Sequence, residues 1–228
     1  PARKGSKGLK NKNIRRLNNI PLIAWSILLA KKCNEIDDII VSTDSVKISK
    51  IAKKYGAKVP FIRPKKLATD KASSFNVIKH TINFFKKKNI FYDYVLLLEP
   101  TSPLRELKDI NFCIKKVLSK KIETLVSITE SINQHPSFLY SLNKKSFLKP
   151  YFENSKKKLY IRRQDLEPLY YLEGSVYMSK VSTLMSKKTF YHKKTQGFRV
   201  EKWKSLEIDD INDFYLAEFY AKKYNLIK

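Results

Sequence analysis

The chain has 228 residues, 43% of them hydrophobic, which suits one domain with an appendage and allows a real core. Its 47 basic residues outweigh 21 acidic ones, for a formal net charge of +26. No apolar run approaches the roughly 20 residues needed to span a bilayer, and the basic residues are mostly lysines scattered along the chain, so neither a membrane nor a nucleic acid is the expected partner.

The opening stretch, PARKGSKGLKNKNI over residues 1–14, sets Arg3, Lys4, Lys7, Lys10 and Lys12 around Gly5 and Gly8, with Ser6 and Asn13 alongside. Glycine lets a backbone turn sharply and approach a ligand. Successive N–H groups in such a loop can form an anion-binding nest, and cationic side chains add charge at longer reach. The stretch reads as a polyphosphate grip or, on composition alone, as a solvated basic terminus. A loop of this kind usually follows a buried strand, so a few apolar residues ahead of Pro1 are expected.

Residues 21–32 carry apolar side chains at helical spacing. Residues 36–42, IDDIIVS, read as a short strand, 46–55 as a helix stopped by Gly56, and 58–62 as another strand. That order indicates a βαβ unit and a parallel sheet. Asp44, where strand meets helix, is read as a helix cap rather than a catalytic group. After Arg63-Pro64 and Leu67-Ala68-Thr69-Asp70, Ser73 and Ser74 precede a helix with Val77, Ile78, Ile82 and Phe85 on one face. They could cap it and present N–H groups to a ligand.

YVLLL, at residues 94–98, is the fully apolar strand expected at the centre of a sheet. It runs into Glu99-Pro100-Thr101-Ser102-Pro103-Leu104-Arg105. Ligands of open α/β sheets collect beyond the carboxyl ends of strands, so this loop is a second candidate wall of the site. Residues 109–119 form the next helix and 124–129 the next strand. Residues 130–172 are rich in loops, lysines and aromatics and read as an inserted lobe or dimer arm. Strand-like alternation follows at 170–177, interrupted by Gly174, then a short helix ending at 187 and a late strand at 198–200. A final amphipathic helix follows SLEIDDIND at residues 205–213. Cys33 and Cys113 are far apart and read as buried free thiols of a cytoplasmic protein. His80, His135 and His192 form no zinc signature.

Glu207, Asp209, Asp210 and Asp213 are the densest carboxylates in this basic chain. In extended backbone, residues 207 and 209 project to the same side. Such a pair can share Mg²⁺, which prefers one or two carboxylates plus phosphates and water. Asp210 and Asp213 instead suit the cap and first turn of the last helix.

Together these blocks resemble the acylneuraminate cytidylyltransferases, or CMP–sialic acid synthetases. The family's P-A-R-x-G-S-K-G-L-x-x-K-N is met by Pro1 to Asn13. Its R-P-x-x-L-A-x-D is met from Arg63 to Asp70, and its P-T-S-P-L-R from Pro100 to Arg105. His135-Pro136, Arg163-Gln164, Gly174 with Tyr177, and the closing Ile208, Asp209 and Asp213 follow in order.

The resemblance implies a single Rossmann-like nucleotidyltransferase domain, a three-layer α/β sandwich, with a dimerisation arm at 130–172 and a homodimer. It implies transfer of CMP from CTP to a sialic-acid-like sugar, with Mg²⁺ and release of pyrophosphate. Arg3, Gly5, Ser6, Lys7, Lys12, Asn13, Arg63 and Ser74 would hold CTP. Glu99, Thr101, Ser102, Arg163, Glu173 and Tyr177 would face the sugar. Arg3, Lys7, Lys12 and Asp209 would serve the chemistry, and Glu207 and Asp209 the metal.

Three positions depart from the family pattern. Glu99 stands where Gln is common, Glu173 where Asn is common, and Glu207 where Asp is common. The first two replace amides with acceptor-only anions, which favours an amino-modified nonulosonate such as legionaminic or pseudaminic acid over plain N-acetylneuraminate. A transferase for another sugar acid, such as the eight-carbon Kdo, and a non-catalytic basic RNA-binding protein are the alternatives.

Overall fold

The computed structural model describes residues 1–131, 135–151, 162, 164 and 166–226. Arg163 lies outside them.

The opening loop leads through a 3-10 turn, Lys12–Ile14, into a small hairpin of β1 (Arg16–Leu17) and β2 (Ile20–Pro21). Its two-residue turn places Asn18 and Asn19 at positive φ, which asparagine tolerates and which matches strand twist. Helix α1 (Leu22–Lys31) is apolar on nearly all sides and lies in the core. Helix α2 (Val46–Lys54) starts at Ser45, whose hydroxyl accepts from Ile48 N, and stops at Gly56 with φ 101°. Asp44 is not the cap. Its carboxylate accepts from Lys4 N at 2.9 Å and ties down the opening loop. Helix α3 (Ser74–Lys86) is capped by Ser73.

The remaining elements are β3 (Tyr94–Leu97), α4 (Leu107–Lys120), β4 (Thr124–Glu130), β5 (Tyr140–Leu142), β6 (Leu148–Pro150), β7 (Tyr170–Lys180), α5 (Val181–Lys187), β8 (Gln196–Arg199) and α6 (Ile211–Lys223). β5 and β6 pair as an exposed antiparallel hairpin inside the expected arm.

The main sheet runs β3-β7-β4-β8, with β7 antiparallel to both neighbours and β4 parallel to β8. Neighbouring side chains point to opposite faces. Leu125 and Met178 pack under α4 with Ile110, Cys113 and Val117. Val126 and Tyr177 pack with Ile78 of α3 and Leu184 of α5. Helices therefore cover both faces of the sheet.

Two expectations need correction. The sheet is not wholly parallel, and β3 stands at the end of this strand order rather than at its centre. The strands expected at 36–42 and 58–62 meet only through isolated parallel bridges, Ile40 with Lys58 and Thr43 with Ile62. Residues 36–42 and β3 share the walls of an apolar cavity of about 340 Å³ instead of a hydrogen-bonded ladder. Local apolar pattern fixes where a chain is extended, while pairing depends on contacts far away in sequence.

A third core joins the chain ends. Leu9, Leu17, Leu22, Trp25 and Leu104 pack against Ile208, Phe214, Ala217 and Ala221. This packing brings the segment before α6 beside the opening loop.

Candidate active site

The opening loop, the segment leading to α3, the turn after β3 and residues 207–209 enclose a cleft of about 510 Å³. Each wall is held by specific bonds. The Asn13 side chain donates to Arg3 O at 3.0 Å, bracing the loop from inside. Gly8 packs so tightly that a Cβ there would collide with the carbonyl oxygen of Asp209. Gly5 meets no such constraint and lies off the cleft wall.

Ile208 is fully buried and donates its N–H to Thr101 O at 2.8 Å. Its neighbours Glu207 and Asp209 both line the cleft. Thr101 Oγ1 donates to Glu207 Oε1 at 3.3 Å. Lys12 Nζ donates to Ile208 O at 2.5 Å and to Asp209 Oδ1 at 3.1 Å. Asp210 and Asp213 form the capping box of α6, as their spacing indicates.

The cleft holds cations on one side and carboxylates on the other. Asp70 is ion-paired with Arg3 and, at 2.5 Å, with Lys7. Arg63 is only 4% exposed, yet among the described residues its Nε and Nη2 have no partner. Unmet donors of a buried guanidinium are costly, so this group is built to meet an acceptor in the cleft. Burial lowers the Arg63 pKa, with Asp44 opposing and Arg3 reinforcing the shift. The Glu207 pKa is raised by burial, then by Glu99 and Asp209, against the pull of the Thr101 hydroxyl and Lys12.

Glu207 and Asp209 offer carboxylate oxygens on one wall, next to a hydroxyl and against an ammonium already seated there. That donor set fits a hard divalent ion. Among the described residues no group of three or more His, Cys, Asp or Glu forms a closed metal cage. The pair therefore suits an ion that takes its other ligands from phosphate and water.

Arg3, Ser6, Lys7, Lys12, Asn13, Arg63, Ser74, Glu99 and Thr101 all line this cleft. Three residues expected to face the sugar lie beneath its wall. Ser102 is fully buried, and its Oγ, near Gly174, has no partner among the described residues. Tyr177 packs against Phe190 in the core, and burial pushes its pKa up. Glu173 is 2% exposed and accepts from Ser175 N at 3.2 Å and from the Ser175 hydroxyl. The cause is a bulge: opposite β4, the register of β7 shifts between Leu172 and Tyr177, with Gly174 at φ +80°.

Sequence reading passed over two residues that matter here. Arg105, 2% exposed, donates to Ser175 O at 2.7 Å, Ser26 Oγ at 2.6 Å and Glu99 O at 2.5 Å. It pins the Glu99 turn to β7 and α1. Burial lowers its pKa to about 10, with Glu173 and Glu99 opposing. Asp70 is the other, and its place at the end of R-P-x-x-L-A-x-D was the available signal.

The family model described as Cytidylyltransferase matches residues 1–226. The chain is 35% identical over 227 residues to the CMP-N,N'-diacetyllegionaminic acid synthase of Legionella pneumophila, spanning 96% of this chain and 92% of that protein. It is 36% identical over 226 residues to an N-acylneuraminate cytidylyltransferase of Escherichia coli, spanning 99% of this chain and about half, 52%, of that longer protein. The fold is similar to a solved CMP:2-keto-3-deoxy-manno-octonic acid synthetase complexed with CTP, with a TM-score of 0.66 at 15% identity, over 100% of this chain and 97% of that one. That likeness shows a Rossmann-like α/β fold.

Proposed function

The chain belongs to the cytidylyltransferase family, and from that premise we propose that it transfers CMP from CTP to the anomeric hydroxyl of a nonulosonic, sialic-acid-like sugar, releasing pyrophosphate. One observation carries this reading. The basic opening loop and the acidic pair Glu207 and Asp209 are walls of the same cleft, and Lys12 bridges them.

Arg3, Lys7 and Arg63, whose Nε and Nη2 have no partner among the described residues, supply cationic donors to the triphosphate. Lys12 adds charge where the phosphate and acidic walls meet. Glu207 and Asp209 would hold Mg²⁺, which neutralises phosphate charge and acidifies the attacking hydroxyl. The sugar oxygen attacks the α-phosphorus in line; that P–O bond forms as the bond to pyrophosphate breaks. Asp209, with one oxygen held by Lys12 and the other outside that bond, takes the hydroxyl proton. No covalent enzyme intermediate is needed.

The arm at 130–172 supports a homodimer, because its hairpin exposes Leu142, Phe147 and Leu148, each about two-thirds accessible. Light scattering on purified protein reads this directly.

The test of the reaction is pyrophosphate release with CTP and a panel of nine- and eight-carbon sugar acids. Asp209→Asn and Arg3→Ala are both expected to lose most turnover. Near wild-type rates in both would overturn the assignment. Steeply salt-dependent binding to RNA without turnover would replace it with a nucleic-acid function.

A further inference from the structure

Glu207 and Asp209 flank a residue whose peptide groups are bonded on both sides. Ile208 N donates to Thr101 O at 2.8 Å, and Ile208 O accepts from Lys12 Nζ at 2.5 Å. The Ile208 side chain is fully buried and packs with Leu104, so the backbone of 207–209 is held by packing as well. The two carboxylates are not held alike. Asp209 has a short side chain and the Lys12 ammonium at 3.1 Å from Oδ1. Glu207 is one methylene longer and exposed. Its carboxylate accepts one hydrogen bond among the described residues, from the Thr101 hydroxyl at 3.3 Å to Oε1.

Thr101 therefore grips the acidic segment twice. Its carbonyl accepts from Ile208 and its hydroxyl donates to Glu207. A β-branched side chain has few χ1 choices, so the backbone sets the direction of that hydroxyl. The backbone is anchored in turn, because Ser102 N donates to Glu99 O at 3.2 Å and the buried Arg105 donates to the same oxygen at 2.5 Å. Thr101 also differs from Lys12 in kind. An ammonium on a carboxylate cancels charge that a divalent ion would use, whereas a neutral hydroxyl orients the carboxylate and leaves its charge in place. Lys12 bears on Glu207 only at longer range, its nitrogen being bonded to Asp209. Among the described residues no hydrogen bond reaches Glu207 Oε2 or Asp209 Oδ2, so each carboxylate keeps one oxygen open.

We infer that Thr101 is a positioning residue for the divalent-ion pair: its hydroxyl holds the long Glu207 side chain in an arrangement that leaves Oε2 free for the ion. The inference rests on the transferase reading above and adds a residue that acts through Glu207 and not on the sugar. Without the hydroxyl, Glu207 regains its rotamer freedom and must be ordered each time an ion binds. Groups that orient a metal ligand from behind contribute roughly 10- to 100-fold in metal affinity. The bond here is long and its acceptor exposed, which puts Thr101 at the lower end of that range.

The experiment measures Mn²⁺ binding to protein saturated with CTP, without sugar, by water proton relaxation against a control of Mn²⁺ and CTP alone. Melting curves show that each variant folds. Thr101→Val and Thr101→Ala remove the donor in two shapes, and both should bind Mn²⁺ about tenfold more weakly than wild type. Thr101→Ser restores the donor and should stay within about threefold, the remainder reflecting its looser χ1. Glu207→Asp draws the carboxylate back from the hydroxyl, so adding Thr101→Val to it should cost less than about twofold. In pyrophosphate assays Thr101→Val should raise the Mg²⁺ concentration for half-maximal rate and leave the KM for the sugar unchanged. Wild-type Mn²⁺ affinity in Thr101→Val and Thr101→Ala, an equal loss in Thr101→Ser, or the full loss in the Glu207→Asp background overturns the role of Thr101 and leaves the reaction standing. A raised sugar KM at unchanged Mn²⁺ affinity overturns it in favour of a sugar contact. Mn²⁺ binding that depends on the hydroxyl, with no pyrophosphate from any sugar, upholds the role of Thr101 and overturns the transferase reading instead.

Discussion

The ammonium of Lys12 lies 3.1 Å from Asp209 Oδ1, a contact between side chains 197 positions apart. The Lys12 side chain is 11% exposed and the Asp209 carboxylate 77%, so the ammonium is sheltered while its partner stays in solvent. Lys12→Gln keeps a donor but loses the charge. Pyrophosphate release is expected to fall roughly 100-fold, the scale of losing one preorganised charge contact in an active site. The melting temperature should move little, because Asp209 remains solvated.

Asp70 holds Arg3 and Lys7 with the same kind of charge a phosphate would bring. Asp70→Asn removes that internal competitor, and CTP is expected to bind a few-fold tighter by titration calorimetry. Hydrogen bonds from Lys7, then Arg3, hold the Asp70 pKa below its ordinary value of 3.8. A depressed acid pKa means the pairing contributes above 3.8 and is lost as pH falls through the folded value. Wild type and Asp70→Asn should therefore converge in stability at that acid end.

Lys204 is 1% exposed and contacts Glu106, Asp109 and Glu201 at 2.5, 3.0 and 3.3 Å. Burial by itself would lower its pKa, but hydrogen bonds to Glu106 and Asp109 raise it overall. The stabilisation is fully present below 10.5 and is lost as pH rises through the higher folded value. Lys204→Met leaves the carboxylates without their cation. Urea unfolding should show a loss of about 3 kcal/mol or more, as for other broken buried pairs.

Gly8→Ala tests the seam between the two walls. The added methyl meets the Asp209 carbonyl, a backbone atom that cannot swing aside. The loop and residues 207–209 must part, and turnover is expected to drop by roughly 100-fold, the effect of small misplacement of reacting groups. Stopped-time pyrophosphate assays at saturating CTP would measure it.

Much of this site is legible in the sequence. The i, i+2 spacing of Glu207 and Asp209 set both to one side of the chain, and Asp210 and Asp213 took the helix cap. Helices α1 to α6 fell where apolar periodicity and cap residues placed them, within a few residues. Glu173 was not readable in this way. Its inward turn follows from the β7 bulge, which shows only in the pairing with β4, resumed on either side of it at Leu172 and Tyr177.

By itself the sequence determined the chemical inventory and much of the local structure: the helices, the caps of α3 and α6, the basic loop, the acidic pair and the family blocks that order them. These depend on neighbours a few positions apart, where spacing and side-chain type act directly. Only the tertiary structure decided which carboxylates face the cleft, that Arg105 pins the Glu99 turn, and that the sheet runs β3-β7-β4-β8. Those outcomes are set by packing between distant segments, above all α6 against α1 and the opening hairpin, which lays Asp209 beside Lys12.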